Sequence, residues 1–287
     1  MEINIGGVPE HFNLPWQLAI ENGLFEERGL NIKWHSYPAG TGAMAYGIKE
    51  GKLDMAVMIT EGLVYSLMKG LDAKIVKGYV NSPLIWGIHT AAKSIVSDPW
   101  NSESYKYAIS RLGSGSHLMA MIDAGMHGRK IRANQFVPVE NLEGAVKSLT
   151  KNETQLFYWE KYTTKYLVDT SVLRRVGEFV TPWPCFFIAA GTKSLNQKGK
   201  EIAAVLQVIN FTCKHFMSAS NLIEMLSERH NMPVEDASDW LNNTAWSTNN
   251  IVHKKVLNQV MDALKKVGQI ERTTDPENLC DIGVDLI

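Results

Sequence analysis

Residues 37–62 read "YPAGTGAMAYGIKEGKLDMAVMITEG", and residues 137–161 read "VPVENLEGAVKSLTKNETQLFYWEK". The two stretches follow one plan. Each starts at a strand end, passes through an amphipathic helix and finishes in a short apolar strand. The first closes on Thr60 and Glu61, the second on Trp159 and Glu160. A unit of this kind presents the carboxyl end of a strand beside the N-terminus of the next helix, which is where open α/β sheets bind ligands. Two copies predict two similar α/β lobes whose binding edges face each other across a cleft.

The rest of the chain fits that frame, because short apolar runs alternate with amphipathic segments. Strands are expected at "INIGGV", "NIKWHSY", "DMAVMI", "AKIVKGY", "LIWGIHT", "KYAIS", "QFVPV", "QLFYW" and "CFFIAA". Helices are expected over residues 14–28, 41–50, 62–69, 116–128, 142–151 and 160–167. From Lys198 onward the strands stop, and the pattern predicts a helical tail over 199–218, 220–230, 234–241 and 251–267. The methionines at 44, 55, 58, 119, 121, 126 and 225 read as core filler, and His215 and His230 as surface or packed side chains of the tail.

Composition excludes several function classes. The 287 residues are 45% hydrophobic, enough for a substantial core. Lys plus Arg total 29 against 30 for Asp plus Glu, so there is no electrostatic footprint for nucleic acid or for an anionic membrane. No stretch approaches the roughly 20 apolar residues of a bilayer span, so no membrane insertion is expected. The start, "MEINIGGVPEHFNLPW", lacks a basic region followed by an apolar core. The three cysteines, Cys185, Cys213 and Cys280, are odd in number and far apart, which suits a reducing compartment. The expected location is cytoplasmic, or periplasmic or extracellular if a leader has been removed. Neither HExxH nor a CxxC pair offers a metal site, and no cofactor is expected.

A glycine- and serine-rich turn, "SRLGSGSHLMAMIDAG" at residues 110–125, tests for phosphate-binding and nucleophile motifs. A dinucleotide loop would need glycine where Leu118 stands, the Lys of a P-loop is missing, and the glycines are out of phase for GxSxG. What remains is a turn whose serine hydroxyls and free N–H groups cap a helix and face whatever lies above it.

"GGVPEHFNLPWQLAIENGLFEERGLNIKW", "GTGAMAYGIKEGKLDMAVMITEGLV", "VPVENLEGAVKSL" and "FVTPWPCFFIAAG" resemble, in order along nearly the whole chain, the type II periplasmic-binding-protein-like superfamily. The resemblance is to the branch holding the nitrate, sulfonate, taurine and thiamine-pyrimidine binding proteins of ABC transporters, together with the fungal thiamine-pyrimidine synthase. It implies an α/β, two-lobed fold with a ligand cleft between lobes and a helical C-terminal tail. The first lobe would be residues 1–86 with 185–287, the second 87–184. The function implied is a small-molecule binding protein that clamps a polar, anionic or heteroaromatic ligand. Its state would be a monomer or weak homodimer, with a transporter permease as partner only if it is exported. An intracellular member of the kind found in fungi fits the leaderless start.

On this alignment "GSGSH", with Ser114, Gly115 and Ser116, is the second lobe's clamp and "PAGTGAM", with Gly40 and Thr41, the first lobe's. Glu10, His11 and Asn13 follow the first strand, where they line the cleft or, for Asn13, cap the next helix. Thr60 with Glu61, and Trp159 with Glu160, hold matching places at strand ends, where a buried carboxylate needs a partner. Trp86 and Trp183 fall on the crossing segments, where an indole stacks on ligand or packs. Arg111 meets an anionic ligand group or a carboxylate of its own lobe.

Two alternatives stand beside the binding module: an enzyme related to the thiamine-pyrimidine precursor synthase, and an intracellular ligand sensor. The synthase relatives hold pyridoxal phosphate on a lysine, spend a histidine and carry a cysteine-rich motif. Here "ITEGLVYS" has neither lysine nor histidine, and "WPCFF" keeps Cys185 alone. Without an amine for a Schiff base that chemistry has no start, and no catalytic residue is assigned.

Overall fold

A computed structural model describes residues 2–101 and 103–287. Among the described residues, ten of the strands form two five-stranded sheets. The first sheet takes β1 (Glu2–Gly7), β2 (Asn31–Ser36), β3 (Met55–Ile59) and β4 (Ala73–Val80). The second takes β5 (Ile85–Ala91), β6 (Tyr107–Ile109), β7 (Phe136–Pro138), β8 (Leu156–Glu160) and β9 (Leu173–Val180). The chain then returns to the first sheet with β10 (Phe186–Gly191).

The orders are β2-β1-β3-β10-β4 and β7-β6-β8-β5-β9. In each, four strands run in one direction and the strand arriving from the other sheet inserts antiparallel to both its neighbours. The internal repeat in the sequence is thus a repeat of topology: two α/β lobes, each completed by a strand delivered across a crossing.

The two crossings lie between Val80 and Ile85 and between Val180 and Phe186. They run side by side. The Thr181 amide donates to the Leu84 carbonyl at 3.0 Å, the Leu84 amide donates to Thr181 Oγ1 at 2.9 Å, and the Cys185 amide donates to the Ser82 carbonyl at 3.0 Å. Two chain segments running side by side between the sheets are where a hinge can bend without breaking either sheet.

Helices α1 (Leu14–Glu21), α2 (Thr41–Lys49) and α3 (Thr60–Met68) belong to the first half. Helices α4 (Gly115–Met126), α5 (Leu142–Thr150) and α6 (Lys165–Asp169) belong to the second. After β10 come α7 (Thr192–Phe216), α8 (Leu222–His230), α9 (Val234–Asn242) and α10 (Lys254–Lys266). Helix α7 packs on α1, β4 and β10, and α10 packs on α3 and reaches α4. The Trp246 indole donates to the Phe12 carbonyl at 3.0 Å, with Trp240 edge-on to Phe12 at 5.1 Å. Those contacts tie the tail to the first sheet's side of the molecule.

Several expectations are corrected. Strand β9, "LRRVGEFV", is absent from the sequence reading because it is an edge strand whose Arg174, Arg175 and Glu178 break the apolar run. The helix expected over 14–28 stops at Glu21, since Gly23 takes φ 68° and only a short 3-10 turn, Glu26–Arg28, follows. The helix expected to begin at Glu160 starts at Lys165, because β8 runs on through Glu160. The tail is not purely helical: Ile251–Val252 (β11) pairs in parallel with Asp285–Leu286 (β12). Met44, Met55, Met58 and Met119 are fully buried, but Met126, at the end of α4, is 60% exposed.

Candidate functional site

The walls between the sheets are built from helix starts. Gly40, at φ 73°, turns the chain into α2, and Thr41 Oγ1 then accepts from the Ile59 amide at 3.2 Å, tying that helix start to the end of β3. Across the cleft, α4 begins at Gly115, and the capping residue is Ser114, whose hydroxyl accepts from the His117 amide at 3.4 Å. Ser116, expected as the cap, has a different job: its Oγ accepts from the Ser110 amide at 3.0 Å and lies 3.0 Å from Ser114 Oγ. The two serines lock the turn in place, and the N–H groups of Gly115 and Ser116 keep no acceptor within the helix, as in any first turn.

Above these helix starts lies a cavity of about 70 Å³, room for roughly five waters at about 10–15 Å³ each. Its wall includes Glu10, Gly40, Thr41, Trp86, Arg111, Ser114, Gly115, Ser116, Trp159 and Glu160. Residues from both halves therefore meet on it. The sequence had not singled out Val8, Ile59, Leu84 and Phe186, with Pro38, Ala39 and Ser110, which complete the wall. Val8 and Ile59 stand at the carboxyl ends of β1 and β3, so their position in the repeat was the available signal. Leu84 and Phe186 enter because the crossings run under the cleft.

The halves touch through small residues. A Cβ on Gly115 would stand 2.6 Å from Ile59 Cδ1 and 2.7 Å from Trp86 Cη2, so only glycine permits this approach. Arg111 reaches over the rim, where Nη1 donates to the Ala39 carbonyl and the guanidinium lies against Gly42. It makes no ion pair among the described residues, neither within its lobe nor across it.

The same cavity carries two carboxyls, Glu10 and Glu160. Burial, reinforced by the Glu160 carboxylate, pushes Glu10 up to about 8. Burial also raises Glu160, although its Oε2 accepts from the Thr163 amide at 2.6 Å and the Thr163 hydroxyl at 2.7 Å. With Glu160 buried and Glu10 half-buried beside it, such carboxyls hold a proton near neutrality at Glu10 and can both donate and accept hydrogen bonds. The indole N–H groups of Trp86 and Trp159 have no partner among the described residues.

Five further candidates stand behind the wall. His11 is buried edge-on against Trp240 at 4.3 Å, and burial lowers it to about 3. Asn13 is buried and does not cap α1, since its Nδ2 instead donates to the Val8 carbonyl at 2.8 Å. Thr60 and Glu61 begin α3 instead of ending a strand. The Thr60 hydroxyl donates to the Pro184 carbonyl at 2.6 Å, and the Trp183 indole donates to Glu61 Oε2 at 3.0 Å. Burial raises Glu61 to about 7, and its Oε1 has no partner. Glu61, Trp183 and Thr60 thus brace the second crossing against α3. Among the described residues no group of three metal-ligating side chains could hold an ion, and no helix is long and apolar enough to cross a membrane.

Two five-stranded α/β sheets, joined by two crossings and facing over one cavity, define the type II periplasmic-binding-protein-like fold. The sequence model of a family described as Ca3427-like PBP matches residues 86–179. The Candida albicans CA3427 gene product, described as exhibiting the generic periplasmic binding protein fold, superposes with a TM-score of 0.91 at 22% identity, covering 98% of this chain and 96% of that one. The alkanesulfonate-binding protein SsuA from Xanthomonas axonopodis pv. citri, bound to MOPS, gives 0.78 at 14% identity with 98% of each chain covered. The nitrate-binding protein NrtA from Synechocystis PCC 6803 gives 0.71 at 15% identity, over 96% of this chain and 84% of that one. Among curated proteins none matches the sequence.

Proposed function

We propose that this chain is a small-molecule binding protein whose lobes, residues 1–86 with 185–287 and residues 87–184, close over one compact ligand. The observation that carries the reading is the cavity itself, walled by two helix starts from opposite lobes, two unpartnered indoles, Arg111 and the Glu10–Glu160 pair. The N-terminus of α4 and Arg111 supply a pole for an oxyanion or a ring acceptor; a helix start is worth about 0.3–1 kcal/mol to a negative group. The carboxyl pair supplies the other pole, which suits an N–H donor. A polar heteroaromatic ring, or a small anion carrying a donor, satisfies both. Two structural relatives carry names of anion-binding proteins, for an alkanesulfonate and for nitrate, and the first pole agrees with them; the second calls for a ligand richer in donors.

A thermal-shift screen over sulfonates, phosphates, aromatic acids and aminopyrimidines tests the reading. A ligand bound only by the native state raises stability by RT ln(1 + [L]/Kd). The stabilisation should vanish in the double variant Glu10→Gln/Arg111→Gln. A ligand that stabilises parent and double variant equally refutes the assignment of the site.

A further inference from the structure

Helix α4 has a second end. Its twelve residues rise about 18 Å at ~1.5 Å each, from the cleft at Gly115 to Met126 on the far side of the lobe. There the chain reads "HGRKIRANQ", residues 127–135, and a cavity of about 320 Å³ opens beside it. Arg129, Lys130 and Arg132 line it, with Trp100, Tyr107 and Gln135.

Among the described residues no acidic side chain pairs with any of the three cations. One acid, Glu103, shares the wall. Gln135 is already spent: its Nε2 donates to the Glu103 and Tyr105 carbonyls at 3.0 and 2.8 Å, and its Oε1 accepts from the Arg132 amide at 2.9 Å, fixing the loop that carries the charges. Tyr107 is 4% exposed, yet among the described hydrogen bonds its hydroxyl has no partner, although it belongs to this wall. The hydroxyl oxygen opens on the cavity, where it is free to donate to a bound molecule.

The negative end of α4 accounts for cations nearby, since a helix C-terminus favours them. It does not account for the concavity or for the idle hydroxyl. Asp123, the nearest carboxylate on α4, is itself committed, accepting from the Tyr158 hydroxyl at 2.8 Å and pairing with His127 at 3.1 Å. The charge of Arg129 acts on the Tyr107 hydroxyl against the raising effects of burial and Asp123, so cation and hydroxyl share one space.

We propose that this cavity is a second binding site, separate from the cleft, for a multiply charged oxyanion: a phosphate ester or a polyphosphate. Two guanidiniums supply forked donors and Lys130 a point charge, the combination that phosphate oxygens take. Tyr107 donates the neutral hydrogen bond.

Equilibrium dialysis with radiolabelled pyrophosphate and inorganic phosphate tests the site on the whole chain. Saturable binding of one pyrophosphate per chain is expected, weakening with added salt. Arg129→Gln/Arg132→Gln should weaken it about tenfold or more. Tyr107→Phe should weaken it about three- to tenfold, the worth of one net hydrogen bond, at an unchanged melting temperature, because the hydroxyl it removes bonds nothing among the described residues. The distant surface pair Lys214→Gln/Lys255→Gln should bind as the parent does. Absence of saturable binding, equal loss in the Lys214/Lys255 control, or full binding by Arg129→Gln/Arg132→Gln would each overturn the proposal.

Discussion

The hydroxyl of Tyr162, in the second half of the molecule, donates to Asp239 Oδ2 of α9 in the tail at 2.7 Å. Beside it Lys165 pairs with Asp236 at 3.2 Å, so one face of α9 holds the second half at two points. Both contacts join the halves outside the ligand cavity. If the lobes close over ligand as proposed, these contacts favour the closed state, and apparent affinity scales with the closed fraction. Tyr162→Phe with Lys165→Met should lower ligand affinity about three- to thirtyfold, two contacts each worth up to about 1 kcal/mol. Small-angle scattering of the ligand-free variant should give a larger radius of gyration than the parent. An unchanged radius and affinity would show that the latch does not bias closure.

Stability should fall as pH rises above about 6.5. Glu10 and Glu61 titrate near 8 and 7 in the folded chain against an ordinary 4.5. Between those values the native state holds protons that the unfolded chain has lost, so raising pH through the window removes stability. His11 and His117, lowered from 6.5 to about 3 and about 4, act oppositely, and their contribution is lost as pH falls below 6.5. From 6.5 to 7.5 the carboxyls act with little opposition from them. Melting temperatures over this range should decline in the parent and decline less in Glu61→Gln, which keeps an acceptor for the Trp183 indole. Parallel slopes would show that Glu61 is not protonated in the native state.

The serines of the α4 turn separate by role. Ser114→Ala removes the cap and should cost about 0.5–2 kcal/mol, read as a lower denaturation midpoint. Ser116→Ala leaves the cap and frees the buried Ser110 amide, a desolvation cost of about 1–3 kcal/mol. Ser114→Asp should restore most of the first loss, since aspartate caps as well as serine; Ser116→Asp should not restore the second. Equal rescue at both positions would mean that both hydroxyls act as caps.

Much of this was legible in the sequence because the repeat carries it. Residues 37–62 and 137–161 show one strand-helix-strand plan, and the two sheets share one strand order. The cavity wall was legible where backbone geometry dictates it, at Gly40, Thr41, Ser114 and Gly115. It was hidden where it depends on how the crossings lie: Leu84 and Phe186 read as ordinary strand residues and end under the cleft. Glu61 and Trp183 were visible as a carboxylate and an indole needing partners, but not that they partner each other at 3.0 Å. Which of two serines caps a helix is decided by a turn of one residue, below the resolution of any residue pattern.

If ligand is held where the second half's α4 meets the first half's β3, Gly115 stands at the contact that holds it. A Cβ there would lie 2.6 Å from Ile59 Cδ1 and 2.7 Å from Trp86, so Gly115→Val should keep the lobes from closing while leaving each sheet intact. The measurement is the affinity of parent and Gly115→Val, by native mass spectrometry or calorimetry, for the molecule found to stabilise the parent. A loss of more than tenfold, about 1.4 kcal/mol, with a melting temperature near the parent's in the absence of ligand, is the predicted result. Equal affinity in the two proteins would contradict it.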